Sequence, residues 1–398
     1  MSGRGFTTLP AWAVWRPEPG LDELTIGIEE EVMLLDPADW SLAHRVEEVL
    51  AELDDSLAGH TAAETHAAAL EVRTDPHLDV GEATAELHSL RCRLARRLGP
   101  LELRAGVAGT HPLAEWRDVE VSPGARPRAI YDSMRELARR EPTFALHVQV
   151  MVDHPDAAIR LLDRLRPHLP LVLALSANSP FWQGRDSGLA SARTPIFGAF
   201  PRVGIPRAFA DYGDYVEAVD LLIRSDALPE PTFLWWDVRL QPRLGTVEVR
   251  IADAQTTVGA TAALAALVQC LARLELERER ELSPTAPTPP EVLSENRFLA
   301  ARDGIEASLV DPRAECRVPA RELLEELLEA CEPHAHALGC GHQLGRVRAL
   351  ADSSGAGAQR ASAVGGQPLA AAAAGLADAF CEPPPAASAD HLPHRAAT

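Results

Sequence analysis

The sequence predicts an α+β fold built on a mainly antiparallel sheet. Two observations carry that reading. Several segments alternate apolar and polar residues with the period of two that strands impose, and one pair of them flanks the tight turn PRLG as a hairpin. The helical segments stand as separate elements beside these strands.

Taken in order, residues 24–36 read as a strand and 41–57 as a helix. A strand at 67–74 (AAALEVRT) follows, then a helix at 80–99 that Pro100 stops. LRAGVAGTHP (103–112) is a strand running into a loop, 127–140 is helical, and ALHVQVMV (145–152) alternates as a strand. A helix opens near Asp156 and is interrupted at Pro167 and Pro170 before LALSANSP ends it. Residues 180–210, rich in Gly, Pro and Arg, suit a structured functional loop. A helix covers 212–225. FLWWDVRLQ (233–241) and GTVEVRIAD (245–253) form the hairpin, and a long helix runs over 257–281.

SPTAPTPP (283–290) reads as a Pro-rich hinge, followed by helices at 291–303, 319–331 and 334–352. The chain therefore divides into an N-terminal extension (1–23), a main body (24–282), the hinge, a helical region (291–358) that completes the fold, and a tail (359–398). The tail's Ala-, Pro- and Gly-rich composition predicts disorder.

Composition narrows function. The formal net charge is −20, which argues against nucleic acid or an anionic membrane as partner. There is no 18-residue apolar run, and MSGRGFTTLPAW lacks a signal-peptide core, so a cytoplasmic protein is expected. The cysteines at 92, 270, 316, 331, 340 and 381 include no CxxC and read as free thiols. His334, His336 and His342 near Cys331 and Cys340 invite a zinc reading, but the segment also reads as ordinary amphipathic helix. The chain contains no lysine. That removes the P-loop lysine, Schiff-base chemistry and pyridoxal phosphate attachment, so any phosphate must be held by arginine, backbone amides or a metal.

The strands sort into faces. In TIGIEEEVMLLDP, Ile28, Val32 and Leu34 point to the core, and Glu29 and Glu31 to the other side. Glu30 falls on the apolar side, where it must snorkel, pair with an arginine or sit beyond the helix layer. The remaining strands set Glu71 and Arg73, His147, Gln149 and Met151, Asp237, Arg239 and Gln241, and Thr246, Glu248 and Arg250 on their polar faces. An ordinary solvated sheet face also alternates, but it usually carries Thr, Ser and Lys. Carboxylates with a histidine and no cysteine suit Mg²⁺ or Mn²⁺, and interleaved arginines suit phosphate or a substrate carboxylate. Together they have the composition of a phosphoryl-transfer site.

At these residues the chain resembles the carboxylate–amine ligases of the glutamate–cysteine ligase type 2 family, relatives of glutamine synthetase. The resemblance runs from about Leu24 to Ser354. It rests on GIEEE (27–31), AETHAAALEVRT (63–74), GTHP (109–112), LHVQV (146–150), LALSANSPFWQGRDSG (173–188), SARTPIF (191–197), WWDVR (235–239) and TVEVRIAD (246–253). The run LSANSPFWQGRDSG is the most specific of these.

The resemblance implies a curved antiparallel sheet with helices on one face, whose concave side holds ATP, Mg²⁺ and glutamate, with Mn²⁺ as an alternative ion. ATP phosphorylates a carboxylate, and an amine displaces the phosphate to give an amide. By the motif match, Glu29, Glu31, Glu64, Glu71 and Glu248 look like metal ligands. His147 would reach a metal or nucleotide phosphates, with Gln149 beside it, and Arg193, Arg239 and Arg250 would hold phosphate or the substrate carboxylate. Asp237 and Asp253 are expected to orient arginines, and the Trp235 and Trp236 pair to pack in the core. Small-molecule substrates and a homodimer are the implied partners. The family often has HVHVGV where this chain has HVQVMV, a departure that bears on the substrate more than on the metal. Two other readings stay open: a nucleotide- or metal-binding protein whose catalysis is lost, and a metal-dependent phosphotransferase that forms no amide.

Overall fold

The computed structural model describes residues 9–140, 142–281 and 287–383. The first half contains β1 (Ile26–Leu35), α1 (Val46–Ala51), α2 (Asp55–Ala58), β2 (Thr61–Ala63), β3 (Ala69–Arg73), α3 (Val80–Leu98), β4 (Arg104–Gly106) and α4 (Ala125–Met134). Then come β5 (Leu146–Met151), α5 (Pro155–Leu165), α6 (Leu169–Ser176), β6 (Phe181–Trp182), β7 (Arg185–Asp186), α7 (Arg193–Phe197), β8 (Val203–Gly204) and α8 (Tyr212–Arg224). The remainder is β9 (Trp235–Trp236), β10 (Val238–Gln241), β11 (Thr246–Val249), α9 (Val258–Glu281), α10 (Pro290–Asp303), β12 (Ser308–Asp311), β13 (Cys316–Pro319), α11 (Ala320–Leu338), α12 (Gly341–Asp352), α13 (Gly355–Ser362) and α14 (Pro368–Asp378).

A seven-stranded sheet in the order β10-β11-β5-β1-β3-β2, with β4 beside the far end of β1, organises the chain. All of its pairings are antiparallel. The architecture is therefore α+β, as the alternation predicts. Apolar residues of one face, among them Ile28, Val32, Leu70, Val72, Val148, Val150, Val247 and Val249, are buried under the helices. Helices α3, α5 and α9 pack there.

Local chemistry explains the boundaries. Asp79 caps α3 by accepting hydrogen bonds from the Gly81 and Glu82 N–H groups at 2.6 and 3.1 Å, and Arg96 and Arg97 occupy its last turn. The helix expected over 41–57 is two short ones, because the Asp54 carboxylate accepts from the Leu57 N–H and starts α2 afresh. Pro167 separates α5 from α6 through one 3₁₀ turn, as its missing N–H requires. The helix expected to end at 331 continues as α11 through Pro333 to Leu338.

By length and mean hydropathy (1.4 over an 18-residue window within Val258–Glu279), α9 could cross a membrane, a feature that a search for uncharged runs overlooks. Of that window 89% is buried within the protein, so α9 is a core helix. The expected N-terminal extension is docked at residues 9–24: Trp12 Nε1 donates to Asp220, Trp15 Nε1 to the Val152 carbonyl, and Tyr212 donates its hydroxyl hydrogen to the Ala13 carbonyl. Only part of the hinge, 287–290, lies within the described residues.

The tail departs most from expectation. Residues 355–378 hold two helices, and Leu376, Ala377 and Phe380 are buried in the main core. Ala-rich sequence is a strong helix former, and low complexity alone does not prevent it from covering apolar surface. Residues 384–398 of the expected disordered tail lie outside the described residues.

Candidate active site

Register assembles the polar face. Glu29 lies between His147 of β5 and Arg73 of β3, and Glu31 pairs with Glu71. On the other side of β5, Gln149 pairs with Glu248 of β11, which pairs with Arg239 of β10. Glu64 follows β2 and Arg193 opens α7. A cavity of about 380 Å³ is lined by Glu29, Glu31, Glu64, Glu71, His147, Arg193, Arg239 and Arg250. Of the sequence-predicted site residues, Gln149 and Glu248 lie just outside that lining.

The carboxylates are under electrostatic strain. Burial raises Glu31 to about 7, against the pull of Arg193, and raises Glu64 to about 7 with Glu31 adding repulsion. Burial likewise holds Glu71 well above the usual carboxylate range, with Glu29 and Glu64 reinforcing it. Ligand atoms of Glu29, Glu71 and His147 all lie within 4.8 Å of one another. His147 Nδ1 faces Glu29 Oε2 at 3.3 Å, while its buried Nε2 has no hydrogen-bond partner. Burial and Arg250 press the imidazole down to about 4, so it is neutral at physiological pH. A ring nitrogen fixed on one side by a carboxylate and bare on the other, beside carboxylates that repel, is a donor set that fits a divalent cation.

Glu248 behaves differently. Burial alone would raise it, but Arg239 and Arg250 hold it well below the usual range. Arg239 Nε donates to Oε2 at 2.5 Å, Arg250 Nη1 to Oε1 at 2.5 Å, and Gln241 Nε2 to Oε2 at 2.9 Å. The motif match placed Glu248 with the metal ligands; here it is buried and paired with Arg239 and Arg250. Arg239 is committed too, because its Nη1 serves the Thr232 and Leu234 carbonyls at 3.0 and 3.1 Å.

Arg193 is held by the functional loop. Asp253 accepts from Ser179 Oγ at 2.6 Å, Ser191 Oγ at 2.9 Å and the Asn178 N–H at 2.9 Å, which ties SANS to SART. Arg193 lies 3.7 Å from Asp253 and donates to the Ile251 and Arg250 carbonyls. Its buried Nε has no partner. Asp253 thus orients an arginine as expected, and Asp237 does the same for Arg297 at 2.6 Å. The glycine of GTHP is needed here: a Cβ on Gly109 would stand 2.6 Å from the Asp253 Cγ. His111 of that motif is a turn residue whose Nδ1 accepts from the Leu113 and Ala114 N–H groups.

Glu30 resolves into one of the three alternatives. It is fully buried and paired with Arg91 of α3, with both hydrogen bonds at 2.9 Å. Sequence reasoning missed Arg91, and it missed Arg126 of α4, which lines the cavity and bonds Glu230 at 2.7 Å. No motif marks either one, although Arg91 falls on the apolar stripe of α3, between Leu87 and Leu94, where helical periodicity could have singled it out. Trp235, assigned to packing, is buried in the core and also lines the cavity.

Comparisons with known proteins show the family. Residues 25–367 match glutamate–cysteine ligase family 2. A candidate glutamate–cysteine ligase 2-1 of Rubrobacter xylanophilus is 39% identical over 337 residues, covering 84% of this chain and 89% of its own. A candidate glutamate–cysteine ligase 2 of Sorangium cellulosum is 38% identical over 334 residues, covering 82% and 88%. Among solved structures, a Francisella tularensis glutamate–cysteine ligase in complex with AMP superposes with a TM-score of 0.66 at 13% identity, over 93% of this chain and 90% of that one. At that identity it supports the fold alone. The chain belongs to glutamate–cysteine ligase family 2, an ATP-dependent carboxylate–amine ligase family.

Proposed function

We propose that the chain joins the γ-carboxylate of glutamate to an amine, cysteine or another amino acid or amine, with ATP as phosphoryl donor and Mg²⁺ or Mn²⁺ as the metal. The observation that carries this is the single cavity that brings Glu29, Glu71 and His147, whose Nε2 has no hydrogen-bond partner, together with Arg193 and Arg250. Glu29, Glu71 and His147 would hold a metal, with Glu31 and Glu64 next to them in the same cavity. A bound divalent ion would supply charge neutralisation for the phosphates.

The chain's own groups do the rest. The unpartnered Arg193 Nε offers a donor to a migrating phosphoryl group or its acceptor carboxylate, and Asp253 keeps that guanidinium in place. Arg250, fixed by Glu248, adds fixed positive charge at the same wall. Phosphorylation turns a poor electrophile into an acyl phosphate; amine attack expels phosphate and forms the amide. Glu31 and Glu64 are carboxylates of the same cavity at hand to take the proton the amine loses.

The test is ADP release with MgATP and glutamate across a panel of amines that includes cysteine, with products weighed by mass spectrometry. Amine-dependent ADP with a γ-glutamyl product supports the reading. ADP formed without any amine, together with a persistent phosphorylated acid, would replace it with a phosphotransferase. Nucleotide-dependent thermal stabilisation with no ADP would replace it with a binding protein.

A further inference from the structure

Gln359 and Arg360 open the segment whose composition predicts a disordered tail, yet both lie in α13 and reach back across the fold, over 181 and 174 residues of chain, to the loop that leads into Arg193. Gln359, 3% exposed, donates from Nε2 to the Asn178 carbonyl at 2.8 Å and to its Oδ1 at 2.7 Å. Arg360 donates from Nε and Nη2 to the two carboxylate oxygens of Asp186, each at 2.8 Å, and from Nη2 to the Leu189 carbonyl at 2.8 Å. Adjacent residues of one helix thus hold both ends of the loop between Asn178 and Leu189.

The grip on Asn178 is specific. Asn178 is 0% exposed and donates from Nδ2 to the Ala254 carbonyl at 2.8 Å and to Thr256 Oγ1 at 3.0 Å. A carbonyl only accepts, so the amide has one orientation and turns Oδ1 towards Gln359. Gly355, one turn earlier in α13, lies against the same side chain: a Cβ there would stand 2.5 Å from the Asn178 Cγ and closer still to Oδ1. On its other side the Asn178 N–H donates to Asp253 Oδ2 at 2.9 Å, and Asp253 lies 3.7 Å from Arg193 Nη1. Ser179 adds a parallel connection, its carbonyl accepting from the Ala192 N–H at 2.8 Å and its Oγ from the Arg193 N–H at 3.2 Å. Gln359, Asn178, Asp253 and Arg193 are therefore linked in sequence, and all four are buried. Hydrogen-bonded networks in a low-dielectric interior rigidify what they connect.

We infer that Gln359 is a positioning residue for Arg193, acting through Asn178 and Asp253, so that α13 sets the place of a guanidinium on the wall of the active-site cavity. What Arg193 does to a substrate rests on the ligase reading; that α13 sets its place does not, and the two have different readouts.

The test pairs turnover with backbone exchange in Gln359→Met, which keeps the volume of the side chain and loses the donor. In the ADP-release assay kcat is expected to fall by about tenfold or more, with KM for ATP within about twofold, because misplacing a group that acts on the reacting atoms costs rate rather than ground-state binding. In an Arg193→Gln background, which has no guanidinium left to place, the same substitution is expected to change kcat by less than about twofold. Loss of folded chain would lower turnover by one factor in both backgrounds; action through Arg193 makes the effect vanish in the second. Hydrogen–deuterium exchange needs no activity: the backbone N–H groups of residues 192–194 are expected to exchange faster in Gln359→Met. Gly355→Ala, whose Cβ drives into Asn178, is expected to give the same two results with Gln359 intact. An unaltered chain that releases no ADP counts against the ligase reading, and exchange then decides the positioning by itself. Exchange at 192–194 unchanged in both variants, turnover unchanged in both, or a loss of equal size with and without Arg193 overturns the inference.

Discussion

Arg91→Met is the most informative single perturbation of the fold, because it isolates the one glutamate of GIEEE that points into the core. Arg91 and Glu30 are both 0% exposed. The guanidinium donates twice to Glu30 at 2.9 Å, to the Gln255 carbonyl at 2.8 Å and to the Thr256 carbonyl at 3.0 Å. Methionine replaces the stem but none of these donors. Glu30 would then keep one hydrogen bond, from Thr261 Oγ1 at 2.5 Å, to set against the cost of a buried charge. Removing one partner of a buried pair costs about 3–5 kcal/mol, and the carbonyls of Gln255, Thr256 and Phe380, which also lose a donor, place this site at the upper end. The double variant Arg91→Met, Glu30→Leu removes the charge as well and should recover most of the loss, because a hydrophobic replacement of both partners is often near neutral. Urea denaturation followed by circular dichroism measures both. A single variant within about 1 kcal/mol of the unaltered protein, or a double variant no more stable than the single, would refute the reasoning.

Further outcomes follow from the site and the C-terminal helices. In EDTA, Glu31→Gln should be more stable than the unaltered chain: a carboxyl raised to about 7 favours folding only while protonated, so the difference is absent below about pH 4.5, grows as pH rises and levels off above about 7; urea midpoints at pH 4, 6 and 8 check the sign. For the same reason Mg²⁺-induced thermal stabilisation should strengthen as pH rises towards about 7, and Glu71→Gln should abolish it. Arg193→Lys keeps the charge but loses the fork and its free Nε, and should lower turnover by about 10²-fold in the ADP-release assay. Ending the chain after Gly366 removes Leu376 and Phe380 from the core, a loss of about 3–6 kcal/mol at 1.5–3 kcal/mol for each side chain, whereas ending it after residue 383 leaves every buried contact named here in place.

Strand periodicity made most of the catalytic face legible, because a period of two decides which side each residue takes. Glu29, Glu31, Glu71, His147, Gln149, Arg239 and Glu248 all fall on the face that alternation assigns them. What alternation cannot supply is partnership across the fold. Arg91 stands 61 residues from Glu30; the apolar stripe of Leu87, Leu94 and Leu98 sets it apart from Arg93 and Arg97, but nothing local names Glu30 as its partner. The β12–β13 hairpin was missed because its four-residue strands, SLVD and CRVP, carry little alternation. In the C-terminal segment, composition suggested disorder, yet Ala372, Ala373, Leu376, Ala377 and Phe380 recur at the three- and four-residue spacing of a buried helix face.

The three adjacent glutamates show how one register gives identical side chains different work. Glu30 points to the helices and is neutralised there by Arg91. Glu31 accepts one backbone N–H, from Ala145 at 2.6 Å, and burial raises it to about 7 despite the pull of Arg193 and Arg250. Glu29 is oriented from two sides, by His147 Nδ1 at 3.3 Å and by Gln149 Nε2 at 2.6 Å. Gln149 in turn accepts from Thr246 Oγ1 at 2.8 Å, which fixes which end of its amide faces the glutamate. The departure from histidine at this position therefore puts a neutral hydrogen-bond clamp on a carboxylate rather than a second imidazole beside it. A clamp of this kind restrains Glu29 without adding charge, which leaves His147 and the carboxylates as the groups whose protonation decides what the site can hold.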